Sequence, residues 1–282
     1  MKNLVNIEIK KCLKRKEFIF ILLLIIVAIS MDFTLTSMYF YGSKTSQLLS
    51  AHSGIIINNI IRTPLQPVFG VLLPLTVSII GSDMYLEEKI NGTENVINTR
   101  ISKKENIISK AIAISIISFF IVLIPLLIDQ ILSLIAFPIQ GNGSFRESGY
   151  KQLIYIDKGI ILNSIQAYYP YLNNIIFIII RAISAVLFTL ISYGFSFIPK
   201  VNKYLSILSS FIIHTLLTTI LSLISFIILM SGINESLSEA ICTDILGVNG
   251  YGNIYVLFGI LLIYLILGIK LINKGIKSED VV

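Results

Sequence analysis

The side chains able to do chemistry in this 282-residue chain are few, and most stand alone. His52 and His214 have no Cys, Asp or Glu at the spacings a zinc site requires. Cys12 and Cys242 are too few for a disulfide framework or a metal-ligand set. No GxxxxGK[ST] occurs, so the chain builds no phosphate-cradling P-loop. Gly247, Gly250 and Gly252 precede an apolar stretch with no Lys after them, and read as a turn. Glu87 and Glu88 are an adjacent carboxylate pair of a kind that can do acid–base work. They are followed by Lys89, Ile90, Asn91 and Gly92, without the Arg that a membrane-embedded Glu-Glu protease carries. His214 also stands at the wrong offset for such an enzyme. The pair therefore reads as interfacial charge, and the chain is expected to be no enzyme, with no catalytic, cofactor-binding or metal-binding residues of its own.

The frame that must position these residues follows from composition. Apolar residues make up 55% of the chain and charged ones 13%, and the mean hydropathy is +0.86. A soluble domain carries roughly 25% charged residues to solvate its surface. A soluble globule, a disordered chain, a secreted disulfide scaffold and a nucleic-acid-binding protein are excluded together. An integral membrane protein remains.

A spanning helix needs about 20 mainly apolar residues. Six stretches qualify: residues 18–40, 67–85, 111–139, 174–198, 205–231 and 253–272. Ala28, Ile29 and Ser30 resemble a signal-cleavage site, but five further spans follow, so the first is expected to remain. Of the 22 Lys and Arg residues, sixteen fall on one side. They are Lys2, Lys10, Lys11, Lys14, Arg15 and Lys16, then Lys89, Arg100, Lys103, Lys104 and Lys110, then Lys200, Lys203, Lys270, Lys274 and Lys277. The positive-inside rule places that side, and both termini, in the cytoplasm. In the N-terminal segment 1–17, Met1, Val5, Ile9, Cys12 and Leu13 share one helical face, with Ile7 on the polar side. An interfacial amphipathic helix is expected there. The outer connections 41–66, 140–173 and 232–252 contain apolar pieces, at 54–61 and 155–165, that suit either the outer interface or solvent. The last, with Ile241 and Leu246, suits solvent or a dip back into the membrane.

Residues 82–110 form a polar connection of mixed charge, longer than a bare linker needs. Glu87 or Glu88, then Gly92-Thr93, then Arg100 and Lys110 at the start of the third span make it similar to the membrane subunits of type-2 class ABC exporters. The basic N-terminal segment and six spans extend the resemblance over the chain. Asn98 and Thr99 stand where that family often has Pro. The resemblance implies a permease subunit with a separate ATPase docked at Glu87, Glu88, Gly92, Thr93, Arg100 and Lys110. ATP and Mg would sit on that partner, and a second permease subunit would complete a homo- or heterodimer. Oppositely charged side chains suit such a contact; solvation of a loop is the simpler use of the same charges.

Ionisable groups at membrane depth face protein or water. Asp32, Asp129 and Arg181 fall at similar heights, so Arg181 is expected either to pair with one Asp or to snorkel outward. On the fifth span Ser206, Ser210, His214, Thr218 and Ser222 recur every four residues, joined by Ser225. Ser210, His214, Thr218 and Ser222 line a translocation path or, alternatively, glue helices together.

The expected protein is thus an all-α integral membrane protein of the cell membrane, multi-pass, in a bacterial plasma membrane. One transmembrane domain fills 1–282: interfacial helix 1–17, six spans over 18–272 with cytoplasmic connection 86–110, and tail 273–282. It would serve, with membrane lipid around it and no nucleic acid, in ABC export of an amphipathic peptide, drug or lipid. A non-transporting scaffold or immunity protein and a secondary transporter are the alternatives.

Overall fold

The computed structural model describes residues 1–44, 48, 50–59, 61, 63–92, 97, 99, 101–139, 161–199, 201–231 and 253–277. Those residues form helices α1 (Lys2–Leu13), α2 (Lys16–Tyr39), α3 (Leu65–Ile90), α4 (Lys103–Ala136), α5 (Asn163–Tyr168), α6 (Pro170–Phe195), α7 (Lys203–Met230) and α8 (Ile254–Lys277), with one 3-10 turn at Ala51–Ser53. Among the described residues there is no strand. All of these except α1 and α5 are long and apolar enough to cross a membrane, six in number.

Local chemistry sets the helix ends. The Ser102 side chain accepts from the Glu105 backbone N–H, and Glu105 places an acid in the first turn. This cap starts α4 eight residues before the expected span, and its 34 residues reach about 51 Å at 1.5 Å per residue. Lys110 therefore lies inside a helix instead of at the head of one. Pro170 occupies the first turn of α6, where its missing N–H costs nothing, and starts that helix four residues early.

The bundle is organised around α6, which packs against α3, α4, α7 and α8. Small residues allow the approach. A Cβ on Gly81 would stand 2.5 Å from the Thr189 carbonyl oxygen, and one on Gly194 2.5 Å from Leu271 Cβ. Lipid is as apolar as Leu, so such contacts hold helices by close packing and hydrogen bonds and not by removing surface from water. On the outside, Leu23, Val27, Ile124, Ile128, Leu223, Ile227, Phe258 and Leu262 form an exposed apolar belt. A soluble monomer does not carry apolar surface on that scale.

Candidate functional site

Polar chemistry concentrates at the two ends of the bundle. At the lysine-rich end, Glu87 and Glu88 occupy the last turn of α3. Arg15 Nη2 lies 3.0 Å from Glu87, and Lys11 Nζ lies 3.9 Å from Glu88 and 2.8 Å from Glu8. Lys110, 1% exposed, donates to Glu88. Three elements distant in sequence (α1, the end of α3 and the start of α4) are thereby joined by one set of charges. Cys12 adds an apolar contact, its thiol 3.8 Å from the Met84 sulfur. Burial pushes that thiol up to about 11, the Arg15 charge acting in the opposite sense.

Of the residues expected at a docking contact, Lys110 and Glu88 face each other, Lys110 1% and Glu88 13% exposed. Seven residues of α4 precede Lys110, and α1 packs against this helix. Glu87 keeps 43% of its side chain exposed, and Gly92 makes a left-handed turn at φ +67° just beyond. Of the remaining proposed docking residues, Thr93 and Arg100 lie outside the described residues. In α1 the buried residues are Glu8 and Cys12, while Met1 and Leu13 are exposed. Glu8 tolerates that face because Lys11, one turn on, pairs with it.

At the opposite end the connection between α2 and α3 turns into the bundle. Ile55, Ile56, Ile57, Asn58 and Asn59 are all buried. Its polar ties reach three helices, α2, α4 and α6. Asn59 Nδ2 donates to Asp32 (3.1 Å) and Thr36 (2.7 Å) of α2. The Ile56 N–H donates to Asp129 Oδ2 of α4 at 2.8 Å, and Ser133 Oγ of α4 donates to the Ala51 carbonyl at 2.6 Å. Asn58 donates to Asn174 of α6 at 3.0 Å, and Asn174 in turn donates to Gln130 (2.7 Å) and the His52 carbonyl (2.8 Å). Thr63, at the head of α3, closes the set on Asp32. Backbone away from helices survives at this depth because side chains satisfy it.

Neither solvent nor the outer interface, then, holds residues 54–59. The apolar run is a buried insertion, and its Asn, Ser and Thr neighbours were the missed signal. The segments 155–160 and 232–252, with Ile241, Cys242 and Leu246, lie outside the described residues.

The polar residues inside the helices also separate. Asp32 and Asp129 each lie seven residues, about 10 Å, from the far ends of α2 and α4. Their partners are Asn59 and Thr63 for the first and a backbone N–H for the second, not Arg181. The Arg181 side chain lies instead against α3, where a Cβ on Gly70 would stand 3.7 Å from Nη1. Among the described residues no ion pair joins Arg181 to either Asp, and donors of the inserted segment occupy both carboxylates.

The α7 stripe splits in two. Ser206 donates to the Ser192 carbonyl (2.7 Å) and Ser192 returns a bond to the Ser206 carbonyl (2.9 Å). Ser210 donates to the Pro74 carbonyl at 3.1 Å and pairs with Ser78. His214 Nδ1 is 3.0 Å from the Tyr264 hydroxyl of α8, and its ring meets Phe188 edge-on. Thr218 and Ser222 bond only carbonyls of their own helix. The buried half is helix–helix glue.

The fold and its two polar ends define a class: an all-helical protein with six helices suited to crossing a membrane. Compared with known proteins, the chain matches no family model, no curated protein and no solved structure.

Proposed function

We propose that this chain is the permease subunit of a type-2 class ABC exporter, multi-pass in a bacterial plasma membrane, with both termini in the cytoplasm and α1 along the inner membrane surface. The observation that carries the reading is the charged joint at the lysine-rich end. Charge contacts pin α1 to the ends of α3 and α4, and the polar connection 91–102 leaves that pinned base through the Gly92 turn. A force applied to this connection would act on three helices at once, which is what a membrane subunit driven by a separate ATPase requires. Of the two adjacent carboxylates, Glu87 keeps 43% of its side chain exposed for a partner against 13% for Glu88.

The partner is an ATP-binding cassette chain carrying ATP and Mg, and a second permease subunit faces this one. The substrate is amphipathic or apolar, a peptide before a drug or lipid, because the spans carry too few charged side chains to line a path for a hydrophilic solute. Co-expression with a neighbouring ATP-binding cassette chain tests the reading. The two co-purify, and replacing residues 93–100 with a Gly-Ser linker abolishes the complex while thermal stability holds. Undiminished ATPase binding by the linker variant would overturn the docking assignment.

A further inference from the structure

The inserted α2–α3 connection rests on a carboxylate whose bonding is incomplete. Asp129 has no exposed surface. Its Oδ2 accepts the Ile56 N–H at 2.8 Å, and its Oδ1 has no hydrogen-bond partner among the described residues. One neutral donor does not compensate an ionised carboxylate removed from water. Something else must neutralise it.

The surroundings narrow what that is. From α2 the group at its height is Asp32, another acid, occupied by Asn59 and Thr63. From α6 it is Arg181, whose guanidinium lies beside Gly70 of α3. Among the described residues of the connection they are Lys44, which is exposed, and His52, with Nδ1 2.8 Å from Ser50 Oγ and its ring against Tyr171. The far half of α3 has no acidic or basic residue, that of α8 has none, and α1 lies at the other end. A metal ion needs several converging oxygens, and the described residues contain no group of three or more His, Cys, Asp or Glu placed to hold one. A proton needs one oxygen.

We infer that Asp129 is a proton-binding site, and that its protonated form holds residues 50–59 inside the bundle. Protonated at Oδ1, the side chain is a neutral carboxylic acid with Oδ2 still free to accept the Ile56 N–H. Loss of the proton to water leaves a bare anion under Ile55, Ile56 and Ile57, close in height to Asp32. The simplest relief is to let water reach Oδ1 by lifting the segment away. Proton release and exit of the segment are therefore one event, and alkaline pH drives it. The inference stands whether or not the chain is an exporter.

The test uses the full chain in lipid nanodiscs, with Cys12 and Cys242 changed to Ala and a single cysteine introduced by Ile57→Cys or, separately, by Ser53→Cys. Both positions are 1% exposed. With a maleimide probe, the labelling rate divided by that of the same cysteine in an Asp129→Asn background rises with pH. The rise approaches roughly tenfold per pH unit where exit requires loss of one proton. The ratio removes the thiol's own pH dependence, because the side-chain amide of the Asp129→Asn background cannot ionise. Infrared spectra of the parent chain at neutral pH show a carboxylic-acid C=O band, retained in Asp32→Asn and lost in Asp129→Asn. A flat labelling ratio, or absence of that band, overturns the inference. Should Asp129→Asn not fold, disappearance of the parent band at the same pH at which the Ile57→Cys thiol becomes reactive supports it, and disappearance without opening refutes it.

Discussion

Replacing Lys110 with Met separates an internal structural charge from a docking charge. The ammonium is 1% exposed and donates to Glu88, whose side chain is 13% exposed. Breaking a buried pair by removing one partner costs about 3–5 kcal/mol, because the survivor is left uncompensated. Two features pull the value to the low end here. Glu88 retains a sliver of solvent, and Lys11 Nζ stands 3.9 Å away on a side chain 48% exposed. A pair that exposed is worth about 0–1 kcal/mol. By that reckoning Lys110→Met alone should cost about 3 kcal/mol. Changing Lys110 and Glu88 together to Met removes the stranded charge as well, and should recover most of that loss. Reversible unfolding in mixed micelles measures all four corners of the cycle. A loss below about 1 kcal/mol for Lys110→Met, or no recovery in the double variant, would show that burial of the pair is not what gives it its energy.

Other consequences follow from the packing and from the ionisation at the lysine-rich end. Gly81→Ala forces a methyl to within 2.5 Å of the Thr189 carbonyl oxygen; spreading α3 from α6 should cost about 1–3 kcal/mol, measured in the same unfolding assay. His214→Ala strips the partner from the buried Tyr264 hydroxyl and should cost about 1–3 kcal/mol, whereas Thr218→Val and Ser222→Ala should stay within about 0.5 kcal/mol. A transport defect in the last two without loss of stability would restore the translocation-path reading. With its thiol raised from 9.0 to about 11, Cys12 stays protonated through neutral pH. At pH 8 roughly one thiol in a thousand is ionised, so alkylation in a Cys242→Ala chain is slow until α1 detaches. Because the folded value lies above the unfolded one, this contribution to stability is complete below pH 9 and is lost as pH climbs through 11. Folded-state alkylation at the denatured rate would contradict the burial.

The helices were readable wherever the signal was local. Apolar length located all six, and the expected starts of the longest helices missed by no more than eight residues. The largest misses had local cues of their own: Ser102 with Glu105 marks the start of α4, and Pro170 that of α6. The candidate site was less readable, because its partners come from far along the chain. Glu88 and Lys110 are 22 residues apart and Asp129 and Ile56 are 73 apart. A charge pattern tells which side of the membrane a residue favours, not which neighbour it meets.

What the sequence determined by itself is the solvent: with 13% charged residues, this chain cannot cover itself in water, and its apolar stretches must be helices to satisfy their own backbone. Where the scarce polar groups go was settled by how the helices pack. The Glu87-Glu88 pair, read as a surface for a partner, is largely a joint within the chain, and a connection read as surface is buried among Asp32, Asp129 and Asn174. The physical reason is that a polar group in an apolar medium must find a partner, and which partner is near is fixed by helix packing. Gly81, Gly194 and the central position of α6 set that packing.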